Sequence, residues 1–259
     1  MRSLVLGHLV YLYTPIGILA TIAGILMGGQ WVWVGMAIFG FNIVMDTLTG
    51  GIHLKGAAVN SKGEAAGVGP ILNLMMYLQF VSFVALQLVV VWRMYQYVAG
   101  VPIEPMMWNG YAYENGITGL GLYAVVMGAA LHQGLGIMFG HELSHTKGFG
   151  FLVSRLMMGL SGCAAFCYAH VYNHHLELGR AWLGPEGNKM MDDTDPATSP
   201  RGRSLYAHWI ISTIGQSYFG FKTESRRLKR MGKSFLSLSN RWIRGYMLSI
   251  PSVVAFGYA

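Results

Sequence analysis

Long apolar segments constrain the fold of this chain more than any other feature. Four of them cover residues 4–29, 31–48, 71–92 and 116–140, and each is close to the roughly 20 residues that a helix needs to cross a bilayer. Of the 259 residues, 53% are hydrophobic and 11% are charged, whereas an average soluble domain carries about 25% charged residues. We therefore predict an all-α fold, a polytopic transmembrane helical bundle.

Apolar segments lie at both ends of the chain, at residues 4–29 and 246–259. The first apolar segment lacks a small-residue cleavage site and is too long for the core of a signal peptide, so we expect it to remain as a helix. A partial span begins at residue 246 and ends with the chain at residue 259. Because this stretch is too short to cross a bilayer, we expect residues 1–259 to form one membrane-embedded domain that is truncated.

Basic residues are concentrated in residues 141–241, which hold 13 of the 18 lysines and arginines. Basic loops stay in the cytoplasm, so we place this segment, and the N-terminus four spans earlier, on the cytoplasmic side of a bacterial-type inner membrane. The same bias explains the positive charge without nucleic acid as a partner. Within the segment, residues 222–234 are expected to contact anionic lipid headgroups or an acidic partner protein.

Five of the nine histidines lie in two groups, HELSH and HVYNHH; they are His141, His145, His170, His174 and His175. Residues four apart share a helical face, which pairs the first with the second and the third with the fourth. The fifth imidazole then points about 100° away from its neighbour and is free to serve a second metal. Ionisable groups near a membrane are costly and usually functional. We predict that the five imidazoles bind metal on the cytoplasmic side.

The first group also fits the HExxH motif of zinc proteases, in which His141 and His145 would bind zinc and Glu142 would act as the base. Five imidazoles exceed the ligands that one zinc ion takes, which favours a dinuclear site over a protease. Imidazole suits zinc, copper, iron and nickel alike, so the ligand type leaves the metal open. A non-catalytic membrane protein for metal binding or transport is an alternative from a different class.

An apolar run over residues 149–168 separates the two histidine groups. As one straight helix, the stretch from His145 to His170 would be about 37 Å long, which is enough to cross the hydrocarbon core of about 30 Å. A crossing would leave the two groups on opposite sides of the membrane and would place the basic residues 180–241 outside. We therefore predict an interfacial or re-entrant helix over 149–168 that brings the groups together, followed by a cytoplasmic segment over 171–245.

The histidine groups belong to a longer series of motifs: GHELSHTK, AHVYNHH, DTDPATSPRGRSLY and ESRRLKRMGKSFLSLSN. In this order they resemble the integral-membrane non-haem di-iron hydroxylases, the alkane 1-monooxygenases and the hydroxylase component of xylene monooxygenase. The segment GGQWVWVGMAIFGFNIVMD looks like the second span of that family and ends at Asp46. Ala169 stands where the alkane enzymes have glutamate, and Asn173 where they have glycine. The second motif is thus more similar to the xylene branch.

The resemblance implies that two iron ions, held by the five histidines, hydroxylate an alkane or the methyl group of an alkyl-aromatic hydrocarbon with O₂. It also implies that Glu142 and Asp195 accept hydrogen bonds from the imidazoles. Met36, Phe39 and Ile43 share a helical face with Asp46. These four residues are the candidate lining of a substrate channel.

The resemblance also implies that electrons come from a separate rubredoxin or ferredoxin-type reductase. The sequence contains neither a four-cysteine iron–sulfur pattern nor a glycine-rich dinucleotide fingerprint. Such carriers are commonly acidic, so the candidate docking residues are the basic ones of the fourth motif: Arg226, Arg227, Lys229 and Arg230.

The motifs leave a second enzyme class open and predict an incomplete set of metal ligands. A fatty-acyl desaturase-like membrane di-iron enzyme is an alternative, because it has similar histidine boxes and differs in its product. The family's third histidine box lies further downstream than Ala259, where the chain ends. We therefore expect this chain by itself to have an incomplete ligand set, to bind iron weakly and to show no turnover.

Overall fold

The structure is a computed structural model, and it describes residues 8–49, 68–113, 115–175, 181–183, 189–191 and 204–258. The chain divides into two compact units. One contains Met1–Phe139 and Val254–Ala259, and the other contains Gly140–Val253.

Helices form most of the first unit. Helix α1 (Tyr13–Met27) follows a 3₁₀ turn, Leu9–Leu12, and helix α2 (Val34–Thr49) follows a second one, Gly29–Trp33. Helix α3 (Gly69–Val98) begins with a proline in its first turn, where the missing N–H would have no helical partner in any case. Helix α4 (Gly119–Ser144) starts in this unit, and its last turn belongs to the second.

Three helical segments of the described residues are long and apolar enough to cross a membrane: Gly29–Thr49, Gly69–Val98 and Gly119–Ser144. They overlap the predicted spans 31–48, 71–92 and 116–140. The helical, membrane-spanning fold that the apolar segments predicted is thereby confirmed. Helix α1, within the first predicted span, has 15 residues, and at 1.5 Å per residue it is about 23 Å long, shorter than the hydrocarbon core.

A buried arginine, Arg93, donates hydrogen bonds to backbone carbonyls at the C-terminal end of α1. Arg93 Nε donates to the Ile25 carbonyl at 2.9 Å, and its Nη2 donates to the Asn115 carbonyl at 2.8 Å. The last carbonyls of a helix have no helical donor, so Arg93 supplies donors to α1. Nearby, strands β1 (Met106–Trp108) and β2 (Tyr111–Tyr113) form an antiparallel hairpin.

A buried hydrogen bond joins α1 to α4. The Thr21 hydroxyl donates to the Gly17 carbonyl at 2.8 Å and lies 2.9 Å from His132 Nε2. A hydroxyl has a single hydrogen, and here it is directed to Gly17. His132 Nε2 must therefore be the donor to Thr21, which makes this histidine part of the helix packing.

The second unit starts with the last turn of α4 and contains helix α5 (Phe149–Leu160) and the short helix α6 (Phe166–Ala169). A π-helical turn, His170–His174, continues directly from α6. Strands β3 (Ala181–Leu183) and β4 (Lys189–Met191) form a small antiparallel pair. Helix α7 (Leu205–Arg230) and helix α8 (Arg241–Tyr258) follow.

The apolar run between the histidine motifs is bent. Helix α5 ends at Leu160, the chain turns through Gly162 with φ at 73°, and α6 begins at Phe166. A positive φ is readily adopted by glycine, which allows the reversal at this point. The run is therefore two helices with a turn between them, and its placement along the membrane remains a prediction.

A glycine lets α8 approach this turn closely. A Cβ added to Gly245 would lie 2.9 Å from the backbone nitrogen of Ala165, closer than real Cβ atoms come to other atoms. Helix α8 thus packs with its backbone against the start of α6, which leads into the second histidine motif.

Candidate metal centre

Four imidazoles converge in the second unit. His141 lies in the last turn of α4 and His145 directly follows that helix, whereas His170 starts the π-helical turn and His175 directly follows it. The ring centroids of His141 and His170 are 4.0 Å apart, and those of His145 and His175 are 4.8 Å apart. The two motifs, separated by the bent apolar run, thus meet as predicted.

The spacing of the nitrogens suits a shared ion. His145 Nε2 and His170 Nε2 are 3.3 Å apart, and His170 Nε2 and His175 Nε2 are 3.0 Å apart. The ligand atoms of His141, His145 and His170 all lie within 4.8 Å of one another. Two nitrogens that each lie about 2.1 Å from one metal ion are about 3 Å apart at ordinary coordination angles. The cluster could therefore hold a metal ion with little rearrangement.

The π-helical turn decides which histidine joins His170. In a regular α-helix, His170 and His174 would share a face and His175 would point away, as the sequence analysis assumed. A π-helix bonds residue i to i+5 and therefore stacks His175 below His170, which matches their 3.0 Å contact. The expectation that His175 points away from His170 is wrong for this reason. The side chain of His174 lies outside the described part of the structure.

Neighbouring side chains hold the cluster in place. The Phe166 ring stacks on His170 at 5.3 Å between centroids with 17° between the planes. The Ser144 hydroxyl donates to the His141 carbonyl at 2.6 Å. Sequence reasoning missed Phe166, although its position four residues before His170 places both rings on one helical face.

Glu142 and Asp195 are the two carboxylates that were predicted to accept hydrogen bonds from the imidazoles. Glu142 Oε1 is 3.9 Å from His141 Nε2, and its side chain is 68% exposed. That distance is too long for a hydrogen bond, so the predicted bond between Glu142 and His141 Nε2 is not formed in this structure. Asp195 lies outside the described residues.

A cavity of about 390 Å³ adjoins the cluster on the side of His145. This volume lies within the usual range for small-molecule sites. Its apolar wall comes from Phe151, Val171 and Tyr172, and its remaining lining comes from the segment Ser144–Gly148. A small apolar molecule in this cavity would lie against His145.

The two cysteines, Cys163 and Cys167, form no disulfide. Burial raises the pKa of Cys163 to about 12 and that of Cys167 to about 11. A thiol of this kind stays protonated at neutral pH, and the thiolate is the form that binds metal. We therefore interpret both cysteines as packing residues.

The remaining predicted residues lie on α7 and α2. Arg226, Lys229 and Arg230 are exposed on α7, whereas Arg227 donates to Glu224 from Nε at 2.9 Å. The charge of Arg227 is thus already paired, and the three exposed residues are the better docking candidates. On α2, Met36 and Phe39 are half-buried, whereas Ile43 and Asp46 are exposed; their role in a substrate channel remains a prediction.

The described residues thus define a membrane protein built from helices, with a histidine cluster that has the geometry of a metal site. Comparison with known proteins finds several that this chain is similar to. The chain is 31% identical over 129 residues to an alkane 1-monooxygenase of Acinetobacter baylyi. It is 26% identical over 257 residues to the xylene/toluene monooxygenase hydroxylase component XylM of Pseudomonas putida.

These similarities confirm the resemblance that the histidine motifs indicated: the chain is similar to alkane 1-monooxygenases and to XylM. The match covers 49% of this chain and 28% of the Acinetobacter protein, and 95% of this chain and 58% of XylM. A second alkane 1-monooxygenase, from Alcanivorax borkumensis, is 28% identical over 49% of this chain and 29% of its own length. The chain therefore spans between about a quarter and three fifths of these relatives. No protein-family model matches it.

Proposed function

We propose that the protein containing this chain is a membrane di-iron monooxygenase that hydroxylates an alkane or the methyl group of an alkyl-aromatic hydrocarbon with O₂. The convergence of four imidazoles from two separate motifs carries the proposal. A catalytic zinc site takes three protein ligands and a water, so four converging imidazoles favour a larger centre. The names of the relatives supply the reaction class.

The residues of this chain would have distinct parts in the reaction. His141, His145, His170 and His175 would hold the iron as neutral imidazoles, together with His174 as the sequence motif implies. Bound iron would supply the activation of O₂. Phe151 and Val171 would keep the hydrocarbon against His145 and exclude water from the cavity. A membrane location suits such a substrate, since a hydrocarbon partitions into the bilayer.

Electrons would enter from a separate rubredoxin or ferredoxin-type reductase on the cytoplasmic side. The exposed cations Arg226, Lys229 and Arg230 supply a basic surface for an acidic carrier, because opposite charge speeds the encounter of two proteins. The sole carboxylate of α7, Glu224, is buried and paired with Arg227, so it does not offset this surface.

Labelled oxygen and metal analysis would test the proposal. Cells expressing the whole protein are supplied with ¹⁸O₂ and either an n-alkane or an alkyl-aromatic hydrocarbon, and the products are analysed by mass spectrometry. We expect an alcohol that carries ¹⁸O, and an iron pair in the Mössbauer spectrum of the purified protein. His170→Ala should remove both, because His170 contacts His141, His145 and His175.

His132→Gln is the matched control, since His132 is a buried histidine of α4 bonded to Thr21. An alkene as the product would indicate a desaturase. One zinc ion and activity without O₂ would indicate the protease, and bound metal without any product would indicate a non-catalytic metal protein. Each of these three outcomes would contradict the proposed hydroxylase.

A further inference from the structure

Two tyrosines and two arginines form a stack beside the second histidine motif. Tyr168 and Tyr172 lie with their rings 6.4 Å apart and 15° from parallel. The guanidinium of Arg155 lies 5.7 Å from the centre of the Tyr168 ring, and that of Arg241 lies 4.6 Å from the centre of the Tyr172 ring. We call these four residues the arginine–tyrosine stack.

The stack connects three helices across the start of the π-helical turn. Arg155 comes from α5 and Arg241 from α8, whereas Tyr168 lies in α6 and Tyr172 within the turn. Guanidinium groups are attracted to the faces of aromatic rings. Each tyrosine is therefore held by a different helix, and the backbone between them cannot rotate without breaking a contact.

The π-helical turn, His170–His174, needs contacts with other helices to keep its register. A π-helix is rare and occurs mainly as a single turn at functional sites. If residues 170–175 relaxed into a regular α-helix, His174 would take the face of His170 and His175 would rotate away. The observed contact of 3.0 Å between His170 and His175 depends on the π-helical register.

We propose that the arginine–tyrosine stack selects the π-helical register of the second histidine motif and thereby positions His175 beside His170. Tyr172 and Arg241 are positioning residues, since they act through the backbone of the turn. The inference rests on the proposed function only in taking the imidazoles as metal ligands; the control of the register itself does not need a metal.

Hydrogen exchange and Co(II) binding would test this proposal in the whole protein in lipid nanodiscs. Tyr172→Ala and Arg241→Ala should speed amide exchange over residues 166–175. They should also weaken Co(II) binding at least about tenfold, which is the usual cost of losing a residue that orients a ligand, and change the Co(II) absorption bands. Tyr172→Phe keeps the ring and should match the wild type.

Arg226→Ala is the control, because Arg226 is an exposed arginine of the same unit that, among the described residues, lies over no aromatic ring. Unchanged exchange in both Tyr172→Ala and Arg241→Ala would overturn the proposal, as would an equal effect of Arg226→Ala. If Tyr172→Ala does not fold, Arg241→Ala decides the question by the same criteria. A wild-type protein that binds no Co(II), with faster exchange in the variants, would contradict the metal centre and leave the stack supported.

Discussion

The side chain of Ser154, on α5, contacts both α4 and α6 close to the two histidine motifs. Its hydroxyl donates to the Gly140 carbonyl at 2.5 Å, one residue before His141, and lies 3.2 Å from Cys167 Sγ on α6. The single hydroxyl hydrogen is used on Gly140, so the Cys167 thiol donates to Ser154. The raised pKa of Cys167 agrees with a protonated thiol.

Ser154→Ala should therefore lower the free energy of unfolding by about 1–3 kcal/mol, because Gly140 and Cys167 both lose a buried partner. Thermal unfolding of the protein in detergent would measure the change. Thr47→Ala is the control, since Thr47 donates the same kind of bond to the Ile43 carbonyl at 2.8 Å but is exposed. Equal losses in the two variants would contradict the role given to Ser154.

Helices α7 and α8 are joined by a buried carboxylate. Glu224 Oε1 accepts a hydrogen bond from the Arg241 backbone N–H at 2.7 Å, and Arg227 donates to both carboxylate oxygens. Burial by itself would raise the pKa of Glu224, but the bonds from Arg227 and Arg241 outweigh it and hold the pKa below its ordinary value. The charged form of Glu224 therefore stabilises the junction.

This junction makes stability depend on pH. A carboxyl whose pKa is lowered by folding stabilises the protein above its ordinary pKa of 4.5, and the contribution is lost as the pH falls through the lower, folded value. At pH 7, Glu224→Gln should lower the free energy of unfolding by about 1–2 kcal/mol, since a neutral amide accepts weaker hydrogen bonds from Arg227 and from the Arg241 backbone.

Thermal unfolding at pH 7 and at pH 3 would test the dependence on Glu224. The difference between the wild type and Glu224→Gln should shrink at the lower pH, because pH 3 lies below the ordinary pKa of the carboxyl, where the contribution of its charge to stability starts to be lost. Glu104→Gln removes an exposed carboxylate and should change little at either pH. A gap that stays the same at both pH values would show that the charge of Glu224 does not matter.

At the scale of the whole molecule, the orientation in the membrane can be mapped with single cysteines. The native thiols of Cys163 and Cys167 are protonated at neutral pH and react slowly, because maleimides attack thiolates. Tyr111→Cys, on the exposed hairpin, should be labelled in intact cells. Lys147→Cys and Lys229→Cys should be labelled only after the membrane is opened. Labelling of Lys229→Cys in intact cells would overturn the predicted cytoplasmic side.

The sequence by itself determined the membrane-spanning helices and the identity of the histidines. Insertion into a bilayer depends on the length and hydrophobicity of each segment, and both are local properties. The spacing of HELSH places His141 and His145 together by helical geometry. The positive-inside rule also required the two motifs to lie on one side of the membrane, and their contact in the structure agrees with that argument.

Only the tertiary structure decided how the second motif presents its imidazoles. A π-helical turn has no recognisable pattern in the sequence, because its register depends on contacts with residues far away in the chain. Here those residues are Arg155 and Arg241, which hold the tyrosines on either side of His170. The contact between His170 and His175 follows from that packing, and local spacing alone favoured His174 instead.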